Sequence, residues 1–545
     1  MNPEPSKWLP MTPLLLSMVS RISIRGLMPP LPLGLTAVLS GVLLALAFPP
    51  VSNGVLSFIA LVPLVITLHR GEYAKREFFK AGYLFGVTFF AAHLWWIVRL
   101  LPASSITMPW LMVPALIVLV AYLSVYPALF FLLLRVVGRG DRFMLWLVGP
   151  ALWVLLEWIR SNGELGFPWA AIGYSFARIP VLMQGASVVG ITGLAAFVLL
   201  INMAASTALL SQTFRAKTIG IAVTMGLLAL AAFYGRGEID RFDERTHGKE
   251  FTVAIAQPNV DLALKWKREF TDSTFLLIER LTREAAVSNP GIVVFPETCA
   301  PVYLRYDQKY RPRMENLARD LGVGVFIGFL DGRYDGPERS LRVYNSAGLI
   351  TPGGAFLGYD KMHLLPFGEA IPFAWKFPSL AKMDFGQANF TPGPEVEPIE
   401  SQVGRLAPLV CFESIFPGLS RRFVRDGADV LINVTNDGWF GSTPGPFQHN
   451  DMAIFRAVEN RRFLVRSANT GISMFVDPAG RVKRALGLYE EGILIHQIHH
   501  VDGTTFYTRH GDAPVLIGAV VSLLAGGLIA ALRRRSAHRG RPDIH

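Results

Sequence analysis

Long apolar runs at both ends of the chain restrict its fold more than any other feature of the sequence. The runs lie at about 32–48, 52–68, 81–99, 110–134, 143–159, 184–210, 218–234 and 513–532. A bilayer requires about 20 mainly apolar residues for each helix that crosses it. The sequence therefore predicts a multi-span α-helical membrane bundle of about eight transmembrane helices.

The middle of the chain has a different character. Only 17% of the whole chain is charged, whereas soluble domains contain about 25%, and the deficit lies in the apolar ends. The change in composition predicts four units: a membrane domain over 1–234, a soluble domain over 250–505, a C-terminal transmembrane helix over 513–532 and a basic tail over 533–545.

The net charge of +11 is explained by the connections between the apolar runs. The two termini and the connections after the second, fourth and sixth runs hold seventeen basic residues, against Arg99, Arg160 and Arg178 in the other connections. Cytoplasmic loops carry this excess, so both termini are expected in the cytoplasm of a cell whose inner membrane holds the chain. Residues 250–505 then lie in the periplasm. Basic residues interleaved with aromatics, which nucleic-acid binding would favour, are not evident.

One connection on the predicted periplasmic side, from Glu157 to Met183, is rich in aromatic residues, glycine and proline. Two interpretations are open. The segment could be an ordinary interfacial loop with a belt of aromatic side chains, or it could be a lipid-contacting lip beneath the soluble domain.

Within the soluble region, short β-branched runs bounded by turn residues predict strands. They cover 251–257, 292–295, 323–329, 345–350, 406–412, 430–434, 463–467 and 472–476, and helical patterns cover about 270–287, 309–320 and 446–461. Strands that alternate with helices predict an α/β or layered sandwich fold.

Three polar clusters stand at the ends of predicted strands. They contain Glu297 in FPET, Lys361 in YDKMHL and Cys411 in VCFES. A thiolate is a strong nucleophile, a carboxylate can accept its proton, and an ammonium group can stabilise an oxyanion. Each residue also has a structural alternative, because a buried cysteine usually fills a core and charged residues are usually solvated. The chain shows no Walker loop, HExxH or paired CxxC metal signature.

These clusters resemble the carbon–nitrogen hydrolase (nitrilase) superfamily, whose catalytic set is Glu, Lys and Cys in this order. The resemblance spans about residues 250–505 and continues through Asn433–Phe440. It implies an α-β-β-α sandwich in which Glu297, Lys361 and Cys411 are catalytic.

Several further features resemble one membrane-bound subgroup, the apolipoprotein N-acyltransferases. They are the transmembrane runs, PFGE ending in Glu369, NDGWFG followed by Gln448-His449, and the loop containing Gly166–Trp169 and Gly173–Ser175. The subgroup implies ping-pong transfer of an acyl chain from a phospholipid, phosphatidylethanolamine above all, through a thioester on Cys411. The acceptor is the α-amine of an N-terminal diacylglyceryl-cysteine, and no cofactor or metal is implied.

The resemblance also implies supporting residues. The backbone N–H of Phe412 would assist Lys361 at the oxyanion, and Glu369 and Glu413 match positions that orient Lys361 or the nucleophile strand, with a purely structural role as the alternative. Trp266 and Trp439 match aromatic positions that could contact acyl chains or belong to the core. Lesser expectations are a packing role for His363, a structural role for Cys299 and a supporting role for Asn436.

Three alternatives of other kinds are open from the sequence. The first is a membrane-tethered amidase that uses the same three residues to pass an acyl group to water. The second is a membrane scaffold that retains an inactive nitrilase fold. The third, a transporter, is disfavoured because the spans lack evident charged pairs.

Overall fold

The computed structural model describes residues 31–100, 109–138, 142–244, 248–335, 340–377, 379–380, 388–394 and 396–539. Twelve helices of nine residues or more lie in these ranges. They are α1 Leu33–Ala45, α2 Val62–Arg70, α3 Lys75–Leu94, α4 Met112–Gly138, α5 Arg142–Ser161, α6 Ala186–Leu210, α7 Phe214–Glu244, α8 Thr271–Ala286, α9 Tyr310–Leu321, α10 Pro417–Arg425, α11 Gly445–Asn460 and α12 Ala513–Arg539. Five of the basic residues that indicate the orientation of the chain lie outside the described ranges, namely Lys7, Arg21, Arg25, Arg139 and Arg541.

The membrane domain is helical, as the apolar runs predict. Six of the eight runs coincide with helices that are long and apolar enough to cross a bilayer. The first two runs form the shorter helix α1 and a segment in which a 3-10 turn, Gly54–Phe58, precedes α2. Prolines cannot continue a helix, and Pro49 and Pro50 stand between these two elements. The total of eight spans stays a prediction.

Two helices, α7 and α12, expose most of their apolar side chains to the surroundings of the protein. In the most apolar stretch of 18 residues in each helix, only 6% of the residues of α7 and 11% of those of α12 are buried within the protein. Phe214 is 85% exposed and Phe233 80% exposed. Contiguous apolar surface of this extent marks contact with a membrane or partner, and it runs along both helices.

The soluble region is a sandwich of two sheets. The first has the order β13-β1-β2-β4-β5-β6, with β3 also paired to β4, and the second has the order β12-β11-β10-β9-β8-β7. The strands are β1 Glu250–Gln257, β2 Ile292–Val294, β3 Ala300–Tyr303, β4 Gly324–Asp335, β5 Ser340–Ile350, β6 Phe356–Asp360, β7 Ile399–Ser401, β8 Gly404–Val410, β9 Val430–Thr435, β10 Phe463–Ala468, β11 Ser473–Val476, β12 Val482–Leu486 and β13 Gly492–His499.

The eight predicted strands and three predicted helices of this region are confirmed. The additional strands β3, β6, β7, β12 and β13 are short or partly exposed, so their sequences lack a continuous apolar run. In β12, for example, four of the five residues are exposed. Such strands are stabilised by pairing with their neighbours rather than by a local sequence pattern.

Helices cover both outer faces of the sandwich. Helices α8 and α9 lie on the first sheet, whereas α10 and α11 lie on the second sheet, and α11 also contacts α6 of the membrane domain. One apolar core extends from the bundle into the second sheet and contains, for example, Phe89, Phe176 and Phe455. The membrane domain and the two-sheet sandwich are therefore packed together through α11.

The aromatic connection between Glu157 and Met183 lies at this interface. Trp169, Tyr174 and Phe176 are each 3% exposed or less, and Tyr174 and Phe176 pack against Phe455 of α11. Both interpretations from the sequence were wrong about these three side chains. They fill the junction between the two domains instead of facing lipid, because the second sheet's helix layer provides an apolar surface at this point.

Candidate active site

Three strand ends bring the predicted catalytic residues together. Glu297 follows β2, Lys361 follows β6 and Cys411 follows β8. The first two strands belong to one sheet and β8 belongs to the other, so the site lies where the two sheets meet. The charges of both Glu297 and Lys361 act on the Cys411 thiol.

Lys361 is buried between two carboxylates. Its Nζ lies 2.8 Å from both carboxylate oxygens of Glu369 and 3.7 Å from Oε1 of Glu297. Only 1% of the side chain is exposed. Burial lowers the pKa of Lys361, but the nearby carboxylates outweigh burial and raise the pKa overall. Lys361 is therefore a protonated hydrogen-bond donor throughout the physiological pH range.

Cys411 has a strained backbone and a neutral side chain. Its φ of +52° lies in the left-handed region, which costs a residue other than glycine about 1–2 kcal/mol. Burial and the negative charge of Glu297 raise the pKa of the thiol, although Lys361 lowers it. The resting side chain is therefore a thiol, and a base would have to accept its proton for the sulfur to act as a nucleophile. Strained backbones of this kind occur where surrounding contacts fix a functional group.

Glu413 connects the Lys361 loop to the nucleophile strand. Its Oε1 accepts hydrogen bonds from the Tyr359 hydroxyl at 2.8 Å and from the backbone N–H groups of Met362 at 2.7 Å and His363 at 3.1 Å. Its Oε2 accepts one from the backbone N–H of Val410 at 2.8 Å. The side chain is fully buried. These contacts support a positioning role for Glu413, whereas Glu369 contacts Lys361 directly.

Asn345 is a site residue that the sequence analysis missed. Its Nδ2 donates to Oε1 of Glu297 at 2.8 Å and to Oε1 of Glu369 at 2.9 Å. The backbone carbonyl oxygen of Asn345 accepts a hydrogen bond from the backbone N–H of Lys361 at 2.9 Å. One amide group thus separates two carboxylates that would otherwise repel each other. A polar residue at the start of a predicted apolar strand is the signal that could have indicated it.

Lys265 was also missed. Its Nζ donates to the carbonyl oxygen of Glu297 at 3.1 Å and to Oγ1 of Thr298 at 2.7 Å. Burial lowers the pKa of Lys265 to about 8. These two bonds fix the backbone of the FPET segment, in which Thr298 has a φ of +47°. The adjacent Trp266, which the sequence singled out, is 40% exposed.

A buried cluster of three polar residues, His449, Asp437 and Arg466, lies beside the backbone of Cys411. His449 of α11 contacts Oδ1 of Asp437 through Nδ1 at 3.0 Å, and its Nε2 lies 3.2 Å from the carbonyl oxygen of Cys411. Arg466 donates to Oδ2 of Asp437 at 2.6 Å. Burial raises the pKa of Asp437, but Arg466 and His449 outweigh burial and lower it overall. Asp437 is thus a stable carboxylate, and Oδ1 also accepts from Thr435 at 2.9 Å.

The other residues singled out from the sequence surround this centre. Phe412 is buried, and its ring packs on Phe416. The ring of His363 also packs on Phe416. Trp439 is half-buried. The neighbouring Phe440, rather than Trp439, packs against tryptophans of the membrane domain.

Two more of the expected residues have defined surroundings. Cys299 is buried, and burial raises the pKa of its thiol to about 12. Asn436 accepts a hydrogen bond of 3.4 Å from Asn469.

Two protein-family models match this chain, and one solved structure is reported beside them. The family model described as Apolipoprotein N-acyltransferase N-terminal domain matches residues 40–204, and the model described as Carbon-nitrogen hydrolase matches residues 252–505. A solved amidase from Nesterenkonia sp. aligns with 50% of this chain and 96% of its own at 23% identity and a TM-score of 0.37.

Full-length relatives are more similar. The apolipoprotein N-acyltransferase of Geobacter metallireducens is 38% identical over 92% of this chain and 96% of its own length. That of Chlorobaculum tepidum is 30% identical over 91% of this chain and 96% of its own length. With both domains matched in order and almost the whole length aligned, the chain belongs to the apolipoprotein N-acyltransferase family.

Proposed function

We propose that this acyltransferase carries the acyl group on Cys411 as a thioester, with Glu297 as the proton carrier and Lys361 as the oxyanion donor. The observation that supports this most directly is the position of Lys361, whose buried ammonium lies between Glu297 and Glu369 and acts electrostatically on Cys411. A nucleophile, a base and a cationic donor at one point form the arrangement that covalent acyl transfer requires.

The first half-reaction acylates the enzyme. Glu297 accepts the proton of the Cys411 thiol, and the sulfur attacks an ester carbonyl carbon of a phospholipid. Lys361 and the backbone N–H of Phe412 stabilise the oxyanion. The ester C–O bond then breaks, the proton on Glu297 passes to the leaving oxygen, and a lysophospholipid departs.

The second half-reaction transfers the acyl group to nitrogen. The neutral α-amine of a diacylglyceryl-cysteine attacks the thioester carbon, and Glu297 accepts a proton from that amine. The C–S bond breaks, and the sulfur regains a proton as the thiol. A thioester reacts with amines more readily than the original ester does, so the covalent intermediate divides one difficult step into two easier ones.

The charge and burial of Lys361 support its proposed role as the donor that stabilises the oxyanion. Its charge is maintained by the carboxylates of Glu369 and Glu297, and it is held in a buried position where a fixed charge acts more strongly than in water. Removing one donor of this kind costs about 100- to 1000-fold in rate. Lys361→Met is expected to lose acyl transfer to that extent while its affinity for phospholipid stays similar.

The lipid substrates and the membrane domain imply where the reaction occurs. We propose that residues 1–234 and 513–532 form the membrane part, that 250–505 form the catalytic domain in the periplasm, and that 533–545 form a cytoplasmic tail of an inner-membrane protein. Phosphatidylethanolamine is the proposed donor. The asymmetry of basic residues between the connections supports this orientation, and anchoring of enzyme and substrates in one bilayer supplies proximity.

The experiment is mass spectrometry of the full-length protein after incubation with phosphatidylethanolamine. We expect an adduct of acyl-chain mass on Cys411 that neutral hydroxylamine removes, as it removes a thioester. Cys411→Ala should give no adduct, and Cys299→Ala, the matched control at the chain's other cysteine, should give a normal one. Acylation of apolipoprotein at full rate by Cys411→Ala would overturn the mechanism.

The amidase alternative uses the same residues and is distinguished by its products. An amidase would release free acid and ammonia from a small amide without any lipid acceptor. Membership of the apolipoprotein N-acyltransferase family disfavours it.

A further inference from the structure

The side chain of Gln448 is one point where helix α11 of the catalytic domain contacts the membrane domain. Its Oε1 accepts hydrogen bonds from the indole N–H of Trp96 at 3.0 Å and of Trp169 at 2.8 Å. Its Nε2 donates to the carbonyl oxygen of His93 at 3.0 Å. Only 3% of Gln448 is exposed. These partners belong to the membrane domain. His93 and Trp96 lie at the end of the third apolar run, and Trp169 lies in the aromatic connection between Glu157 and Met183.

The aromatic rings around Gln448 make this contact rigid. The ring centroids of Trp96 and Trp169 are 5.3 Å apart, and each packs against Phe440 at 5.0 and 6.1 Å. Trp96 is 4% exposed and Trp169 is 2% exposed. Closely packed aromatic pairs have strongly preferred relative positions, so a displacement of the tryptophans would displace the groups that they contact.

The next residue of α11 contacts the nucleophile. His449 Nε2 lies 3.2 Å from the carbonyl oxygen of Cys411 and 3.0 Å from Oγ of Ser414. Its other ring nitrogen faces Asp437, which Arg466 holds in place. The orientation of the Cys411 carbonyl is coupled to the left-handed φ of that residue. Successive residues of one helix cannot move independently, so Gln448 and His449 shift together.

We propose that Gln448 and His449 are positioning residues through which the membrane domain sets the conformation of Cys411. The path runs from the indole groups of Trp96 and Trp169 to Gln448, along one helical residue to His449, and from there to the backbone of the nucleophile. The membrane domain is then a part of the catalytic apparatus as well as an anchor. This inference rests on the proposed role of Cys411 as the nucleophile.

Single substitutions that remove one indole N–H test the proposal. Trp96→Phe and Trp169→Phe retain an aromatic ring but lose one hydrogen bond to Gln448. The measurement is the rate at which iodoacetamide alkylates Cys411 in the full-length protein in detergent micelles, from pH 7 to pH 10. We expect each variant to be alkylated at least threefold more slowly than the unsubstituted protein, and Cys411→Ala supplies the blank.

The chain offers a matched control for these variants. Trp146 donates its indole N–H to Thr207 at 3.0 Å within the membrane bundle, so Trp146→Phe removes a comparable bond that is remote from α11. Its alkylation rate should equal that of the unsubstituted protein. If Trp96→Phe and Trp169→Phe react as fast as Trp146→Phe, the membrane domain does not position Cys411 and the proposal is overturned.

A second pair of variants separates positioning from folding. His449→Gln replaces the imidazole by a side-chain amide whose N–H can donate to the Cys411 carbonyl oxygen, whereas His449→Leu cannot form a hydrogen bond. We expect the pH profile of alkylation to be largely restored by glutamine and not by leucine, at similar unfolding temperatures. Equal profiles in the two variants would contradict the role of His449.

The proposed function fails separately from this inference. If phospholipid leaves no adduct on Cys411, the acyl-transfer mechanism is wrong, whereas the alkylation rates still report whether the membrane domain positions that residue.

Discussion

The carboxylate of Glu413 accepts a hydrogen bond of 2.7 Å from the backbone N–H of Met362. Met362 follows Lys361, and Glu413 lies two residues beyond Cys411, so this bond joins the segments that hold two catalytic residues. The same carboxylate contacts Val410, Tyr359 and His363. Glu413 thereby fixes the segment of Lys361 against that of Cys411, and for the proposed mechanism the distance between these two residues bears directly on rate.

Replacement of Glu413 should reduce stability and acylation of Cys411 more than removal of one of its hydrogen-bond partners does. Glu413→Gln places an amide NH₂ where Oε2 now accepts from the N–H of Val410, so two donors face each other and a buried hydrogen bond is lost. This costs about 1–3 kcal/mol, and we expect acylation of Cys411 to fall more than tenfold. Tyr359→Phe, the control, removes one of four bonds and should cost about 1 kcal/mol. Thermal unfolding and single-turnover acylation measure the two effects, and equal rates in both variants would contradict this role.

The raised pKa of the Cys411 thiol predicts how its reactivity changes with pH. Burial and the charge of Glu297 both raise that pKa, so the thiolate should form only at a pH above that of an exposed cysteine. Glu297→Gln removes the negative charge, and the midpoint of the alkylation profile should move to lower pH although burial still holds it high. Acyl transfer at pH 7 should be lost in the same variant because no base remains. A midpoint that moves to higher pH would show that Glu297 does not act on the thiol.

At position 345, removal of the side chain should reduce acyl transfer less than introduction of a negative charge. Its Nδ2 lies within 2.9 Å of Oε1 of both Glu297 and Glu369. Asn345→Asp would bring a third carboxylate against these two, which raises carboxylate pKa values and displaces the side chains. We expect at least a hundredfold loss of acyl transfer for Asn345→Asp and a smaller loss for Asn345→Ala. Activity of Asn345→Asp should recover in part below pH 6, and a variant that is fully active at pH 7 would contradict this.

The proposed orientation in the membrane predicts which surface positions are accessible from outside the cell. In a background with both native cysteines replaced by alanine, Lys483→Cys and Glu72→Cys introduce exposed thiols at two sites. A membrane-impermeant maleimide added to intact spheroplasts should label Lys483→Cys, in the catalytic domain, and leave Glu72→Cys unlabelled until the membrane is broken. The reverse pattern would show that the orientation is inverted.

The chemistry of this protein could be predicted largely from local sequence. Glu297, Lys361 and Cys411 each lie in a short motif at the end of a strand, and the structure brings all three together. For Glu297 and Cys411 the signal is local because a run of apolar residues ends at the motif, and such a run specifies itself through burial. The strand before Lys361, β6, has no such run, so only the motif indicated Lys361. The apolar runs of the membrane domain are equally local, since the bilayer sets their length.

What only the tertiary structure decided is the set of residues that hold the catalytic groups in place. Asn345 and Lys265 contact Glu297 from other segments, and Gln448 meets Trp96 across 352 positions of the chain. No periodicity or spacing encodes such contacts, because they arise only when the two sheets and the bundle pack. The sequence alone therefore determined the kinds of unit and the three residues that are proposed to react, whereas packing determined how the membrane domain contacts the helix that lies against the Cys411 backbone.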